Sequence, residues 1–230
     1  MLSSFAEADA DGLRRCPVCR RSDRPFSRAV AYGSYEAGLR ELVHLLKYNG
    51  VRPAAEVLGR MLAEAVCQLG PEFDEAEVCL IPVPLFKGKR QDRGFNQAEL
   101  IARCALKHLP NQAVLRTDLL QRIRDTHSQI GLTGHQRREN LRGAFTVSFP
   151  EQVRGREVLL VDDVYTTGTT VTECARILRR AGAEQVWVAT VARTLKLASK
   201  NAGFQEDVSE PAGYTGETER FEEESQTLKV

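Results

Sequence analysis

Residues 158–170 read VLLVDDVYTTGTT. Four branched apolar residues, Val158 to Val161, run directly into two carboxylates, Asp162 and Asp163. Four threonines then surround Gly168. An uninterrupted apolar run of this kind predicts a strand buried on both faces, as in a parallel sheet. Beyond it, Val171, Cys174, Ala175, Leu178 and Ala181 recur at helical spacing, and Gly182 is placed to stop the helix. The stretch is therefore a strand, an acidic pair, a hydroxyl-rich loop and a helix. In open α/β sheets such a loop faces the crevice where ligands bind.

The loop suits an anion. Its backbone N–H groups, threonine hydroxyls and the following helix N-terminus can converge on one phosphate. Gly168 permits positive φ and close backbone approach. Two carboxylates beside a phosphate would repel it by direct contact. They are useful where they accept hydrogen bonds from hydroxyls of the same ligand, or hold a divalent cation. A sugar phosphate supplies both halves. The competing structural reading is a turn-forming Asp and a Thr170–Glu173 capping box, which leaves the full succession of features without a purpose. A P-loop needs G-x-x-x-x-G-K-[ST] and a Rossmann site needs G-x-G-x-x-G. Neither occurs in the chain. A receiver domain carries its acidic pair on an early strand, whereas this pair stands near the end of the folded part.

Working outward, Val186 to Ala192 predicts the last strand. Upstream, EVCLIPVPL (Glu77 to Leu85) predicts another buried strand, followed by a basic, glycine-containing loop, FKGKRQDRGF. Asn96 and Glu99 have capping-box spacing, so a helix is expected there, with Ile101, Ala102, Ala105 and Leu106 as its apolar side. Leu39, Leu42, Val43 and Leu46 mark an earlier helix, ended near Gly50. Val57, Leu58, Met61, Leu62, Ala65, Val66 and Leu69 mark another, opened by Pro53. Ala113 to Leu120 is a weaker strand signal, and AFTVSF (Ala144 to Phe149) alternates like a strand near a sheet edge. The polar, arginine-rich stretch from Arg122 to Arg142 predicts a long loop of functional type. Alternating strands and helices predict an α/β, doubly wound, mostly parallel sheet.

The 230 residues suffice for one main domain with a small appendage. No apolar run approaches the roughly 20 residues that cross a bilayer, and Met1 to Arg15 lacks an apolar signal region. A cytoplasmic location without membrane attachment is the expectation. Net charge is +1, but residues from Asn201 onward hold two basic and eight acidic residues, leaving the body at +7. Such a body attracts phosphorylated small molecules or nucleic acid. The acidic tail is poor in large apolar residues and predicts disorder. Of six cysteines, only Cys16 and Cys19 are closely spaced, as CPVC. That is half of a tetrahedral zinc site. It is either a turn with two free thiols or a zinc site completed from elsewhere. The expected division is an N-terminal arm over 1–27, the main domain over 28–198 and the tail over 199–230.

VLLVDDVYTTGTT closely resembles the phosphoribosyl-pyrophosphate (PRPP) motif of type I phosphoribosyltransferases. IPVPLFKGKRQDRGFNQAELIA, RIRDTHSQIGLTGHQRRENLRGAF and RELVHLLKYNG extend the resemblance to the ComF family of competence-associated proteins. It spans roughly Cys16 to Arg193. It implies a type I phosphoribosyltransferase fold of about five strands with a small hood, from Gly33 to Leu69. It implies that Asp162 and Asp163 act as the catalytic pair on the ribose hydroxyls. Thr166, Thr167, Gly168, Thr169 and Thr170 would cradle the 5-phosphate, and Mg²⁺ would accompany PRPP. Lys87, Lys89, Arg90 and Arg93 would meet the pyrophosphate. Arg124, Arg137 and Arg138 would close a lid, with His127 and His135 in the same stretch. Members of the family carry several C-x-x-C pairs for zinc, of which only Cys16 and Cys19 match here. The implied role is phosphoribosyl transfer, or PRPP binding, linked to natural transformation, with a competence helicase or another single-stranded DNA-handling protein as partner. The alternative is a non-catalytic sensor or assembly module on the same fold. Direct nucleic-acid binding lacks an aromatic-rich stacking segment.

Overall fold

The computed structural model describes residues 24–70, 73, 77–109, 112–126 and 133–194. Cys16, Cys19, His127, most of the N-terminal arm and the acidic tail lie outside them. Five strands form one sheet: β1 (Arg28–Ser34), β2 (Val78–Pro82), β3 (Ala113–Leu115), β6 (Glu157–Tyr165) and β7 (Gln185–Arg193). Their order is β1-β7-β6-β2-β3, and every pairing is parallel. The expected parallel α/β sheet is present, with VLLVDD on its central strand. A separate antiparallel pair joins β4 (Leu120–Arg122) to β5 (Phe145–Val147). AFTVSF is thus a strand, but not one at the edge of the main sheet. The signal over Ala113 to Leu120 divides between β3 and the start of β4.

The apolar run of β6 alternates between two cores. Leu159 and Val161 pack with the helices α1 (Ala37–Lys47), α2 (Ala54–Val66) and α4 (Gln97–Ala105). Val158 and Leu160 pack on the other face, with α6 (Thr169–Arg180) and the β4–β5 pair. All four are fully buried. Period-two geometry explains why both sets had to be apolar.

The segment from Gly33 to Leu69 does not stand apart as a hood. Leu58 and Leu62 of α2 are fully buried in the sheet's own core, and Val43 and Leu46 of α1 join them. Val57 is the exception to the predicted stripe, being exposed. Gly59 shows how tightly this layer is set: a Cβ there would come within 2.5 Å of Cys104 Cβ on α4.

Two local expectations change. FKGKRQDRGF is not a loop: Lys87–Arg93 forms a short helix, α3, closed by Gly94 at φ 75°. Its backbone turns without an apolar stripe because none of its residues is buried. At the head of α4, Asn96 does cap, accepting from Ala98 N–H at 3.0 Å. Glu99 instead pairs with Arg90 and Arg103.

Candidate phosphoribosyl site

The carboxylate pair is not one double acceptor. Strand β6 continues through Asp162 and Asp163 to Tyr165, so adjacent side chains take opposite faces. Asp163 follows Leu159 and Val161 toward α1, where Lys47 Nζ ion-pairs with its Oδ2. Asp162 follows Val158 and Leu160 toward α6, the side of Arg122 and Cys174. One oxygen of each is tied locally. Asp162 Oδ1 accepts from Asp163 N–H and Asp163 Oδ1 accepts from Val164 N–H, both at 2.9 Å.

Their electrostatics differ accordingly. Burial pushes the Asp162 carboxyl well above the usual range, and the charge of Asp163 adds to it. Burial also opposes ionisation of Asp163, but the charge and hydrogen bond of Lys47 outweigh it and hold that carboxyl below its ordinary value. Lys47 in turn loses to burial and gains more from Asp163, so its ammonium is held above the ordinary lysine value. Asp163 is the carboxylate that stays charged; Asp162 is the one that keeps a proton more readily.

The hydroxyl loop has the geometry of an anion cradle. Gly168 stands at the N-cap of α6 with φ 73°. A Cβ there would fall 2.2 Å from Tyr165 Oη, so both the left-handed backbone and the ring demand glycine. Gly168 has no side chain to cap α6, and the Thr167 hydroxyl accepts from Thr169 N–H at 3.5 Å. The Thr170–Glu173 capping box does not form, because Glu173 accepts from Gly143 N–H at 3.2 Å and pairs with Arg176. Thr167 and Thr169 hydroxyls lie 2.8 Å apart on the loop. The N-terminus of a three-turn helix thus faces the strand end with its dipole uncompensated by an acidic cap.

Of the basic candidates, the fold gathers Lys89 and Arg93. With Lys47, Tyr48, Asn49, Gly50, Asp92 and Phe95 they line a cleft of about 470 Å³. Arg93 is held over the Tyr48 ring and donates to Gln97 Oε1 at 2.5 Å. Lys87 and Arg90 do not line this cleft; Arg90 is engaged with Glu99 at 3.2 Å. A second hollow of about 310 Å³ lies at the opposite, N-terminal end of β2. There Arg156 pairs with Glu77, and Arg116 with the neighbouring Asp118.

Within the expected lid, the described residues include a helix. Arg137, Arg138 and the exposed His135 belong to the helix α5 (Gly134–Leu141). Arg124 donates to the carbonyls of Asn140 and Arg142 at 2.9 and 2.7 Å, which ties β4 to the end of α5. Arg137 Nε is buried without a hydrogen-bond partner among the described residues. Among those residues no group of three His, Cys, Asp or Glu side chains could enclose a metal ion. Magnesium typically keeps several waters and binds through one or two carboxylates plus substrate phosphates, and Asp162, the carboxylate not ion-paired to Lys47, fits that smaller demand.

Lys47 is the site residue that sequence reasoning did not single out. It lies inside the quoted segment RELVHLLKYNG, but a lysine in a helix's last turn ordinarily signals only a favourable dipole contact.

The chain also resembles known proteins. The family model described as "Phosphoribosyl transferase domain" matches residues 97–210. The DNA utilization protein YhgH of Escherichia coli O157:H7 is 35% identical over 184 residues, covering 78% of each chain. Competence protein F of Haemophilus influenzae is 31% identical over 184 residues, covering 78% of this chain and 79% of that one. Among solved structures, a hypoxanthine phosphoribosyltransferase from Staphylococcus aureus aligns with a TM-score of 0.40 at 9% identity, over 62% of this chain and 64% of that chain. No helix among the described residues is long and apolar enough to cross a membrane. With relatives of this identity and coverage, and a parallel sheet whose central strand ends in the DD–TTGTT turn, the chain belongs to the ComF family of type I phosphoribosyltransferase-like proteins.

Proposed function

We propose that the protein binds PRPP at the carboxyl end of β6, in company with Mg²⁺, and acts on or through the phosphoribosyl group in DNA utilization or competence. The observation that carries the proposal is the N-terminus of α6, opened by a left-handed Gly168, free of acidic residues in its first turn and lined by Thr167 and Thr169, directly beyond Asp162 and Asp163. The 5-phosphate takes the backbone N–H groups and hydroxyls of Thr166 to Thr170. The ribose hydroxyls donate to the carboxylates. The pyrophosphate takes Lys89 and Arg93 in the neighbouring cleft.

In phosphoribosyl transfer, pyrophosphate departs and the ribose carbon becomes oxocarbenium-like. The chain's part is to neutralise the leaving group with fixed cations, and Lys89 and Arg93 supply them. Asp163, kept ionised, places negative charge beside the ribose. Bound Mg²⁺, held by Asp162 with the ligand's own phosphates, would add charge neutralisation at the pyrophosphate. A binding-only version of the proposal draws on the cleft lining, which contains one carboxylate, Asp92, and no histidine to activate an acceptor. In that version the PRPP-loaded protein serves a competence helicase or another single-stranded DNA-handling partner.

Isothermal titration of PRPP with Mg²⁺ tests the binding. PRPP should bind more tightly than ribose 5-phosphate, which lacks the pyrophosphate. Absence of binding by both would refute the proposal. Release of pyrophosphate with nucleobases or single-stranded DNA as acceptors then separates transfer from binding alone.

A further inference from the structure

We infer that Lys47 is an exchangeable counter-ion: it neutralises Asp163 in the free protein and transfers to the pyrophosphate when ligand enters, which releases Asp163 for the ribose. The inference rests on the proposed PRPP reading and adds to it a residue and a sequence of contacts.

Three observations place Lys47 between two anion positions. Its ammonium pairs with Asp163 Oδ2 at the end of the central strand. The same side chain lines the cleft that holds Lys89 and Arg93. It ends α1, and the following residues Tyr48, Asn49 and Gly50 form the cleft wall. At 18% side-chain exposure, against 6% for Asp163, the lysine end of the pair is the one that reaches solvent. A flexible four-carbon stem lets an ammonium re-aim without moving the helix. Asp163 cannot re-aim, because its other oxygen is held by Val164 N–H.

The physical logic is charge bookkeeping within a buried site. An unpaired carboxylate at this depth is costly, so the empty site needs a cation. A ribose hydroxyl can replace the lysine only if the lysine finds another anion at the same moment. Pyrophosphate in the cleft is that anion. A ligand with ribose and no pyrophosphate leaves Lys47 nowhere to go and must compete with it for Asp163. The arrangement therefore selects for ligands that carry both groups.

Inorganic pyrophosphate with Mg²⁺ is the discriminating probe, because it has no hydroxyl for Asp163. In the Asp163→Asn variant Lys47 loses its ion-pair partner and keeps only the weaker pull of Asp162, so pyrophosphate should bind about tenfold more tightly than to wild type, the equivalent of one charge-assisted hydrogen bond at its lower limit. Adding Lys47→Met to Asp163→Asn should abolish that gain. The double variant removes both partners together, which avoids a buried unpaired charge. Loss of a negative charge alone would tighten pyrophosphate equally with or without Lys47, and that result would overturn the inference. So would an unchanged affinity in Asp163→Asn. If Asp163→Asn fails to fold, the wild type decides by NMR of ¹⁵N-labelled lysine, with the Lys47 Nζ signal assigned by its loss in Lys47→Arg. Saturation with Mg²⁺ and pyrophosphate should shift that signal, and a signal that stays in place refutes the exchange. Failure of PRPP and pyrophosphate to bind wild type or variant would refute the site reading itself. Binding of both with Lys47 indifferent refutes only the exchange.

Discussion

Replacing Asp163 with Asn and, separately, Asp162 with Asn should change stability in opposite directions. The two carboxylates are neighbours in sequence, yet among the described residues it is Asp163 that forms the ion pair with Lys47. Breaking a buried ion pair by removing one member costs on the order of 3–5 kcal/mol. Lys47 keeps a route to solvent, so the lower end applies, about 3 kcal/mol, and at roughly 2–4 °C per kcal/mol for a domain of this size the melting temperature of Asp163→Asn should fall by roughly 6–12 °C at pH 7. The pH dependence follows from the direction of each shift. The Asp163 carboxyl lies below 3.8 in the folded state. Its contribution is present above that value and is lost as pH falls through the folded-state pKa. The Asp162 carboxyl is raised above 3.8. Its contribution is complete below that value and is lost as pH rises through the folded-state pKa, so Asp162→Asn should raise the melting temperature at neutral pH and lose that advantage in acid. Calorimetric scans of wild type and both variants from pH 3 to pH 8 measure this. Equal shifts of the same sign in the two variants would refute the unequal assignment, as would an Asp163→Asn variant that melts with wild type.

Gly168→Ala should lower stability by about 1–2 kcal/mol for the left-handed backbone alone, and more for the Tyr165 clash, while sharply weakening PRPP and ribose 5-phosphate alike; titration and thermal melts read both. Arg93→Ala should weaken PRPP at least tenfold, with ribose 5-phosphate affected much less, whereas Arg90→Ala, on the Glu99 side of α3, should change either affinity by less than about threefold, in keeping with a surface ion pair. Gly59→Ala should destabilise by about 1–3 kcal/mol or more, because α2 and α4 cannot separate without disturbing the core; denaturant titration measures it, and a neutral result would contradict the packing described.

The central strand, its two apolar sets and the helix after Gly168 were legible because each obeys a single strong period. The turn that joins them was legible from chemistry, since few structures need DD followed by TTGTT. What escaped the sequence depended on distant partners. Arg28–Ser34 is a strand only because β7 offers it an edge. AFTVSF showed its alternation, but its partner β4 is only three residues long and lies far off in the chain, so their pairing apart from the main sheet did not show. Lys87–Arg93 has Gly88 and no buried side, so nothing periodic marked it as a helix. Asn96 and Thr170 were equally plausible caps by spacing; the first caps α4, and the second is bypassed because Gly168 takes the N-cap and Glu173 is drawn to Gly143 and Arg176. Lys47 was hidden for the same kind of reason. Its role is fixed by Asp163, and nothing local distinguishes it from a solvated lysine. The aromatic residues beside the cleft, Tyr48 and Phe95, come from separate segments, which is why no stacking stretch was visible in the sequence.

The most direct test of the central claim is ³¹P NMR of PRPP with Mg²⁺ titrated with the protein, because the 5-phosphate and the two pyrophosphate phosphorus atoms report separately. Binding at the DD–TTGTT turn predicts that the 5-phosphate signal shifts or broadens together with the pyrophosphate signals, and that Gly168→Ala abolishes the 5-phosphate response. A titration in which the 5-phosphate signal stays unmoved, whether or not the pyrophosphate responds, would contradict the assignment of Thr166 to Thr170 as its cradle.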